Sequence, residues 1–179
     1  MIPILHRRLH NVAKIAKARE SKNRHEPNIG LDVRAASAHL ADSGQAVMSD
    51  LVAYVDGGSL GNPGPSGIGV VINGCESGEI RIAKWIGHQD NNVAEYAALM
   101  EALQCALALK ATKLHVYSDS EVMVRQMRGE YTCRSPRLYS LHWTCRKLAR
   151  SLSFSISHVP RENNAEANRL ANSAVRSRS

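Results

Sequence analysis

The order in which strand-like and helix-like segments follow one another from Leu51 onward is the strongest constraint on the fold of this chain. Short apolar or alternating runs, typical of strands, occur at 51–56, 68–72, 79–86, 113–117 and 152–158. Longer amphipathic runs, typical of helices, occur at 91–109, 121–127, 136–150 and 164–175. The order is three strands, a helix, a strand, two helices, a strand and a last helix, and this order predicts an α/β fold. We expect a five-stranded mixed sheet with helices on its faces.

Two local features of this pattern carry predictions of their own. The segment 57–67 is rich in glycine and proline and is predicted to be a tight loop after the first strand. In the long helix, the apolar residues at helical spacing are predicted to form one face, and these are Val93, Ala97, Met100, Leu103 and Leu107.

Residues 1–49 differ from the rest and are predicted to be a basic N-terminal extension, helical or partly disordered, that precedes a domain at 50–179. The first 24 residues contain seven Lys or Arg and one acidic residue, Glu20. Such a segment fits a second contact to nucleic acid, an organellar transit peptide or a tail without a role, and we favour the first. The predicted location is cytoplasmic, or organellar if the extension is a transit peptide.

The net charge of +7 at pH 7 fits a polyanionic partner and fits a solvated basic surface equally well. No apolar run has the length of a bilayer span, so no membrane partner is expected. The four cysteines form no CxxC pair, which favours a reducing compartment over a zinc site. The sequence leaves the oligomeric state open.

Three carboxylates fall where a predicted strand ends or a predicted helix begins. Asp56 ends the first strand, Asp119 follows the fourth, and Glu95 lies in the first turns of the long helix. Each alone is more typical of a turn residue or a helix cap. Together they converge on one edge of an α/β sheet, where sites are usually built. Clustered carboxylates suit Mg²⁺ or Mn²⁺, and two such ions about 4 Å apart can support phosphodiester hydrolysis.

The residues around these carboxylates resemble, in the same order, four motifs of the type 1 ribonuclease H family. The matching segments are 54–69 with its Gly-Asn-Pro-Gly loop, 91–99, 117–120 and 158–172. The last segment contains Val-Pro-Arg-Glu, which resembles the compact bacterial and archaeal branch of that family. The loop and the pair Asn91–Asn92 argue against a transposase or exonuclease with a similar sheet.

The resemblance implies a ribonuclease H-like catalytic domain that cleaves the RNA strand of RNA–DNA hybrids and leaves 5′-phosphate and 3′-hydroxyl ends. It implies two Mg²⁺ ions, with Mn²⁺ as a substitute, held by Asp56, Glu95 and Asp119. Small polar groups and backbone amides suit contacts to RNA 2′-hydroxyls in the minor groove. The implied substrate contacts are Ser59, Gly61, Asn62, Asn91, Asn92 and, where longer members have Gln, Glu121.

Asn168 stands where the family's last motif has a fourth carboxylate. It is kept as a catalytic and metal-binding position, because an amide oxygen can ligate a hard cation, but the second metal is expected to bind more weakly. The alternative is a catalytically weak or silent hybrid-binding module. Cleavage is favoured because the other three carboxylates are present. Where some members have a mobile His, this chain has Arg161 and Glu162.

The segment 125–150 contains seven basic residues and one acidic residue, Glu130. It predicts either a surface that holds the DNA strand by its phosphates or a solvated helix face. Trp143, within this segment, is predicted to be a core residue.

Overall fold

The structure is a computed structural model that describes residues 50–76 and 78–177, so the predicted extension at 1–49 lies outside the described residues. Five strands and four helices make up the described chain. The strands are β1 (Asp50–Ser59), β2 (Gly64–Asn73), β3 (Ile80–Gln89), β4 (Lys113–Ser118) and β5 (Ser153–His158). The helices are α1 (Asn91–Ala108), α2 (Glu121–Arg128), α3 (Pro136–Ala149) and α4 (Ala165–Arg176), with a 3₁₀ turn (Arg161–Asn164) before α4.

The strands form one mixed sheet in the order β3-β2-β1-β4-β5. β1, β2 and β3 are antiparallel neighbours, whereas β4 pairs parallel with both β1 and β5. Short connections suffice for the antiparallel strands, and helices supply the crossovers that parallel pairing requires. The predicted five-stranded mixed sheet with helices on its faces is confirmed.

Two glycines let helices pack closely on opposite faces of the sheet. A Cβ on Gly57 of β1 would lie 2.1 Å from the carbonyl carbon of Ala94 in α1. A Cβ on Gly69 of β2 would lie 2.0 Å from the carbonyl oxygen of Ala167 in α4. Gly69 is paired with Asp56, the residue before Gly57, and successive strand residues point to opposite faces. Helices α1 and α4 therefore cover the two faces, and α3 packs on α1.

The prediction of a loop at 57–67 is wrong. β1 continues to Ser59 and β2 begins at Gly64, so only residues 60–63 connect the two strands. Gly58 pairs opposite Gly67 across the ladder. Gly57 and Gly67 make room for helix backbones, whereas Gly61, with a φ of +96°, lies in the connection itself.

The predicted apolar face of α1 is not the side of the helix that is buried. Of the five residues assigned to it, only Leu103 is buried, and the buried side instead carries several alanines. The helix rests on the sheet through these small side chains, which permit the close approach seen at Gly57. The fully buried residues of α1 are Ala94, Tyr96, Ala98, Leu99, Ala102, Leu103 and Ala106.

Trp143 is not a core residue, because its side chain is 56% exposed. Helix α3 fully buries only Leu138, Cys145 and Ala149, and Trp143 lies on its exposed side. No helix in the described part of the chain combines the length and the apolar character needed to cross a membrane.

Candidate active site

Three carboxylates meet at one edge of the sheet. Asp56 lies in β1, and Asp119 follows the end of β4, which runs parallel beside β1. Glu95 lies in α1 directly after Ala94, whose backbone contacts Gly57. One ligand atom from each carboxylate can be chosen such that all lie within 4.8 Å of one another. Topology thus brings together residues that are up to 63 positions apart in sequence, from Asp56 to Asp119.

Gly57 is the residue that allows Glu95 to reach Asp56. Any side chain at position 57 would collide with the α1 backbone, as the 2.1 Å distance from its Cβ to Ala94 shows. The Gly57 backbone amide also donates a hydrogen bond to the Glu95 carboxylate. This glycine therefore sets both the position and the orientation of one of the three acids.

The environment of the cluster disfavours negative charge. Asp56 and Glu95 are 4% and 7% exposed. Burial, followed by repulsion from Asp119, raises the pKa of Asp56 to about 6, although Arg161 and a hydrogen bond from Asn168 act in the opposite direction. Burial, followed by repulsion from Asp56 and Asp119, raises the pKa of Glu95 well above its usual range.

A divalent cation bound between the three carboxylates would offset the burial and the mutual repulsion of their negative charges. Glu95 Oε2 is buried and has no hydrogen-bond partner among the described residues, so it is free to act as a ligand. The donor set consists of carboxylate oxygens, which are the ligands that Mg²⁺ and Mn²⁺ prefer. The residues present therefore fit a divalent metal site.

Asn168 reaches the cluster through its amide nitrogen. Its Nδ2 donates to Asp56 Oδ2 at 3.0 Å, and its Oδ1 accepts a hydrogen bond from Asn172 Nδ2 at 3.0 Å. Asn172 thus holds the amide in the orientation that offers Asp56 a donor. Metal ligation through Asn168 Oδ1 requires this orientation to change, and it stays a prediction.

Asn164 is a site residue to which the sequence analysis assigned no role. It is 1% exposed, and its Nδ2 donates to Val55 O and to Asp119 Oδ1, both at 2.9 Å. It ties the 3₁₀ turn to β1 and fixes one oxygen of Asp119. The available signal was its spacing: Asn164 precedes Asn168 by one helical turn at the start of α4.

The predicted substrate contacts lie where the β1–β2 connection meets the start of α1. The backbone amide of Asn91 donates to Asn62 Oδ1 at 3.1 Å, which joins the two segments. Ser59 Oγ donates to the backbone oxygens of Gln89, at 3.0 Å, and of Gly61. Asn91 and Asn92 are exposed. Their contact with a substrate stays a prediction.

Glu121, the remaining predicted contact, is the first residue of α2 and follows the Asp119–Ser120 pair. Its carboxylate forms an ion pair with Arg125 at 2.7 Å. A role in substrate binding requires this exposed pair to open, and it stays a prediction.

A cavity of about 790 Å³ adjoins the carboxylate cluster at Asn168. Three arginines line it, and these are Arg161, Arg169 and Arg176. Arg161 is close enough to lower the pKa of both Asp56 and Glu95. The site thus places positive charge beside the acids, which suits a phosphodiester backbone.

Comparison with known proteins identifies relatives of this domain. The profile of a family described as "Reverse transcriptase-like" matches residues 54–174. A bifunctional protein of Mycobacterium tuberculosis is 38% identical over 128 residues, which cover 70% of this chain and 35% of that protein. The chain therefore spans about a third of the length of this mycobacterial relative. A ribonuclease HI of Halobacterium salinarum is 36% identical over 125 residues, which cover 69% of this chain and 63% of the relative.

Solved structures that are similar to this domain are also ribonucleases H. A ribonuclease H1 from Halobacterium salinarum superposes with a TM-score of 0.68 at 35% identity, covering 72% of this chain and 98% of that structure. A ribonuclease H1 of metagenomic origin, crystallised with an RNA/DNA hybrid, superposes with a TM-score of 0.66 at 36% identity, covering 72% of this chain and 99% of that structure.

Proposed function

Because this chain belongs to the type 1 ribonuclease H family, we propose that it hydrolyses the RNA strand of RNA–DNA hybrids with two divalent metal ions. The observation that carries the proposal is the approach of Asp56, Glu95 and Asp119 within 4.8 Å, with Glu95 Oε2 buried and unpartnered among the described residues. The hybrid bound in a related structure supports the choice of substrate.

In the proposed mechanism, the three carboxylates and Asn168 would hold Mg²⁺, or Mn²⁺ in its place. When bound, the two ions supply activation of a water and stabilisation of the leaving oxygen, which leaves 5′-phosphate and 3′-hydroxyl ends. Asn164 keeps Asp119 oriented through its hydrogen bond at 2.9 Å. Arg161 lines the adjoining cavity and would hold the RNA backbone by its phosphate charge.

Selection of RNA is proposed to occur at the start of α1 and the β1–β2 connection. Asn91 and Asn92 are exposed there, and Asn62 Oδ1 holds the first amide of α1. Exposed amide groups of this kind can bond a 2′-hydroxyl in a shallow minor groove. DNA lacks that hydroxyl, so duplex DNA should be a poor substrate.

The second candidate is a hybrid-binding module without cleavage. The observation that favours it is Asn168, whose Nδ2 rather than Oδ1 faces Asp56 at 3.0 Å. The fourth position then contributes no charge to the metals, and the second ion would bind weakly.

The test is cleavage of an end-labelled hybrid in Mg²⁺ and in Mn²⁺, with duplex DNA of the same sequence alongside. We expect cuts in the RNA strand only, with products that carry 5′-phosphates. Glu95→Gln should abolish cutting because it removes a charged ligand without changing side-chain length. Glu101→Gln is the matched control, since Glu101 lies in the same helix and pairs with Lys84 at 2.9 Å.

Two outcomes would decide against hydrolysis by this site. Cleavage by Glu95→Gln at the wild-type rate would remove the metal role of the cluster. Tight binding of the hybrid without any cutting in either metal would establish the binding module instead. Equal cutting of hybrid and duplex DNA would contradict the proposed 2′-hydroxyl contacts.

A further inference from the structure

Two large aromatic side chains stand on the outer face of α3. Tyr139 is 62% exposed and Trp143 is 56% exposed, and they lie one helical turn apart. Aromatic residues of this size usually bury most of their surface, so two adjacent exposed ones make this face a candidate for contact with another molecule.

Cations continue the same face. Arg146, Lys147 and Arg150 are exposed and, with Tyr139, His142 and Trp143, line a shallow cavity of about 330 Å³. Lys147 Nζ lies 5.2 Å from the centre of the Trp143 ring. Within residues 50–76 and 78–177, none of these three cations forms an ion pair. The surface is therefore aromatic and positively charged, without acidic residues lining it; we name it the α3 platform.

The α3 platform begins beside the candidate active site. Arg137, in the first turn of α3, pairs with Asp90 at 2.8 Å, directly before α1. Leu138 borders the same small pocket as Asn92 and Glu95. One turn later, His142 Nδ1 lies 3.0 Å from the Tyr96 hydroxyl. The helix thus starts at the site, and its outer face extends about 16 Å from Tyr139 to Arg150 at the usual helical rise.

We propose that the α3 platform binds a single-stranded segment that flanks the hybrid, with unpaired bases stacked on Trp143 and Tyr139 and phosphates held by Arg146, Lys147 and Arg150. Inside a duplex the base faces are covered by their neighbours, so apart from the last pair of a blunt end only unpaired bases can stack on exposed rings. Rings interleaved with cations are the usual means by which proteins hold single strands without sequence preference. A protein partner is the alternative, and equal affinity for hybrids with and without a flanking single strand would point to it. This inference rests on the proposed function, because the hybrid positions the flank.

The first test compares binding of a blunt hybrid with the same hybrid carrying a thymidylate overhang of about six nucleotides, a length within the site sizes of single-strand binding folds. Binding is measured without divalent metal, so that nothing is cut. We expect the overhang to tighten binding by about tenfold, as one or two stacked bases would. The double variant Tyr139→Ala, Trp143→Ala should lose this gain. Trp85→Ala is the control, because it removes the other tryptophan, which is on β3.

The second test observes the ring directly. The chain has two tryptophans, so in the variant Trp85→Phe all tryptophan fluorescence comes from Trp143. Stacking of oligothymidylate on Trp143 should quench that emission. If Trp143 contributed to stability alone, adding oligothymidylate would leave the emission unchanged. Thermal unfolding of each variant shows whether it is folded.

The outcomes separate this inference from the proposed function. Equal affinity for blunt and overhanging hybrids, or no quenching by oligothymidylate, would overturn the proposal that the α3 platform binds a single strand. This holds even if the blunt hybrid is cut normally. Retention of the overhang gain in the double variant would also overturn it. Failure to cut the blunt hybrid would instead count against the proposed function, while quenching of Trp143 would still report on the platform.

Discussion

Asp56→Asn is expected to stabilise the metal-free protein at neutral pH and to abolish cleavage. The structure raises the pKa of Asp56 from its usual 3.8 to about 6, chiefly by burial and secondly by repulsion from Asp119. The stability that protonated Asp56 contributes is fully present below 3.8, the pKa of this carboxyl in the unfolded chain. It is lost as the pH rises through about 6, the pKa of Asp56 in the folded protein. The charged form therefore costs on the order of 3 kcal/mol at neutral pH.

Asparagine removes that cost without disturbing the surroundings. Its Oδ1 can still accept the hydrogen bond from Asn168 Nδ2, and its volume is nearly that of aspartate. The expected rise in Tm is roughly 5–10 °C for a chain of this size. Binding of the hybrid should persist, since Asp56 is only 4% exposed and the proposed substrate contacts lie elsewhere.

The measurement is thermal unfolding in a chelator at about pH 8 and about pH 4, on either side of the titration. The difference between wild type and variant should be large at the higher pH and only a small part of that at the lower one. Added Mg²⁺ should stabilise wild type more than the variant. The control is Asp50→Asn, the same change in the same strand at an exposed residue that pairs with Lys113 at 3.1 Å, where an effect under about 1 kcal/mol is expected. Identical unfolding of wild type and Asp56→Asn at both pH values would refute the claim that burial of this charge destabilises the protein.

Two further substitutions test the geometry of the site. Gly57→Ala should destabilise the protein by about 3 kcal/mol or more and impair cleavage, because its Cβ would lie 2.1 Å from Ala94. Gly58→Ala has no atom within 4 Å of the new Cβ and should be tolerated; equal unfolding temperatures for the two variants would contradict the close packing of α1 on β1. Asn168→Asp should lower the Mg²⁺ concentration for half-maximal cleavage, since it adds a charge beside the metals. Superimposable metal titrations for wild type and Asn168→Asp would mean that position 168 does not act on a metal.

The sequence by itself determined the order of the strands and helices and the three acids at their ends. Both follow from local information, because periodicity reports the type of element and strand ends in an α/β fold converge on one edge. Asp56, Glu95 and Asp119 were therefore identified without any distance between them. The motifs added the family, which the comparisons confirm.

Only the tertiary structure decided which surfaces meet. Glycines in β1 and β2 look like turn residues along the chain, yet Gly57 and Gly69 are strand residues against which helix backbones pack. The buried side of α1 depends on how closely its alanines approach the sheet, and the exposure of Trp143 depends on which side of α3 packs on α1. Asn164 orients Asp119 across 45 residues of sequence. The periodicity of a sequence shows which residues could be buried in an interface between elements. Contacts between segments that are distant in sequence decide which of those residues are in fact buried.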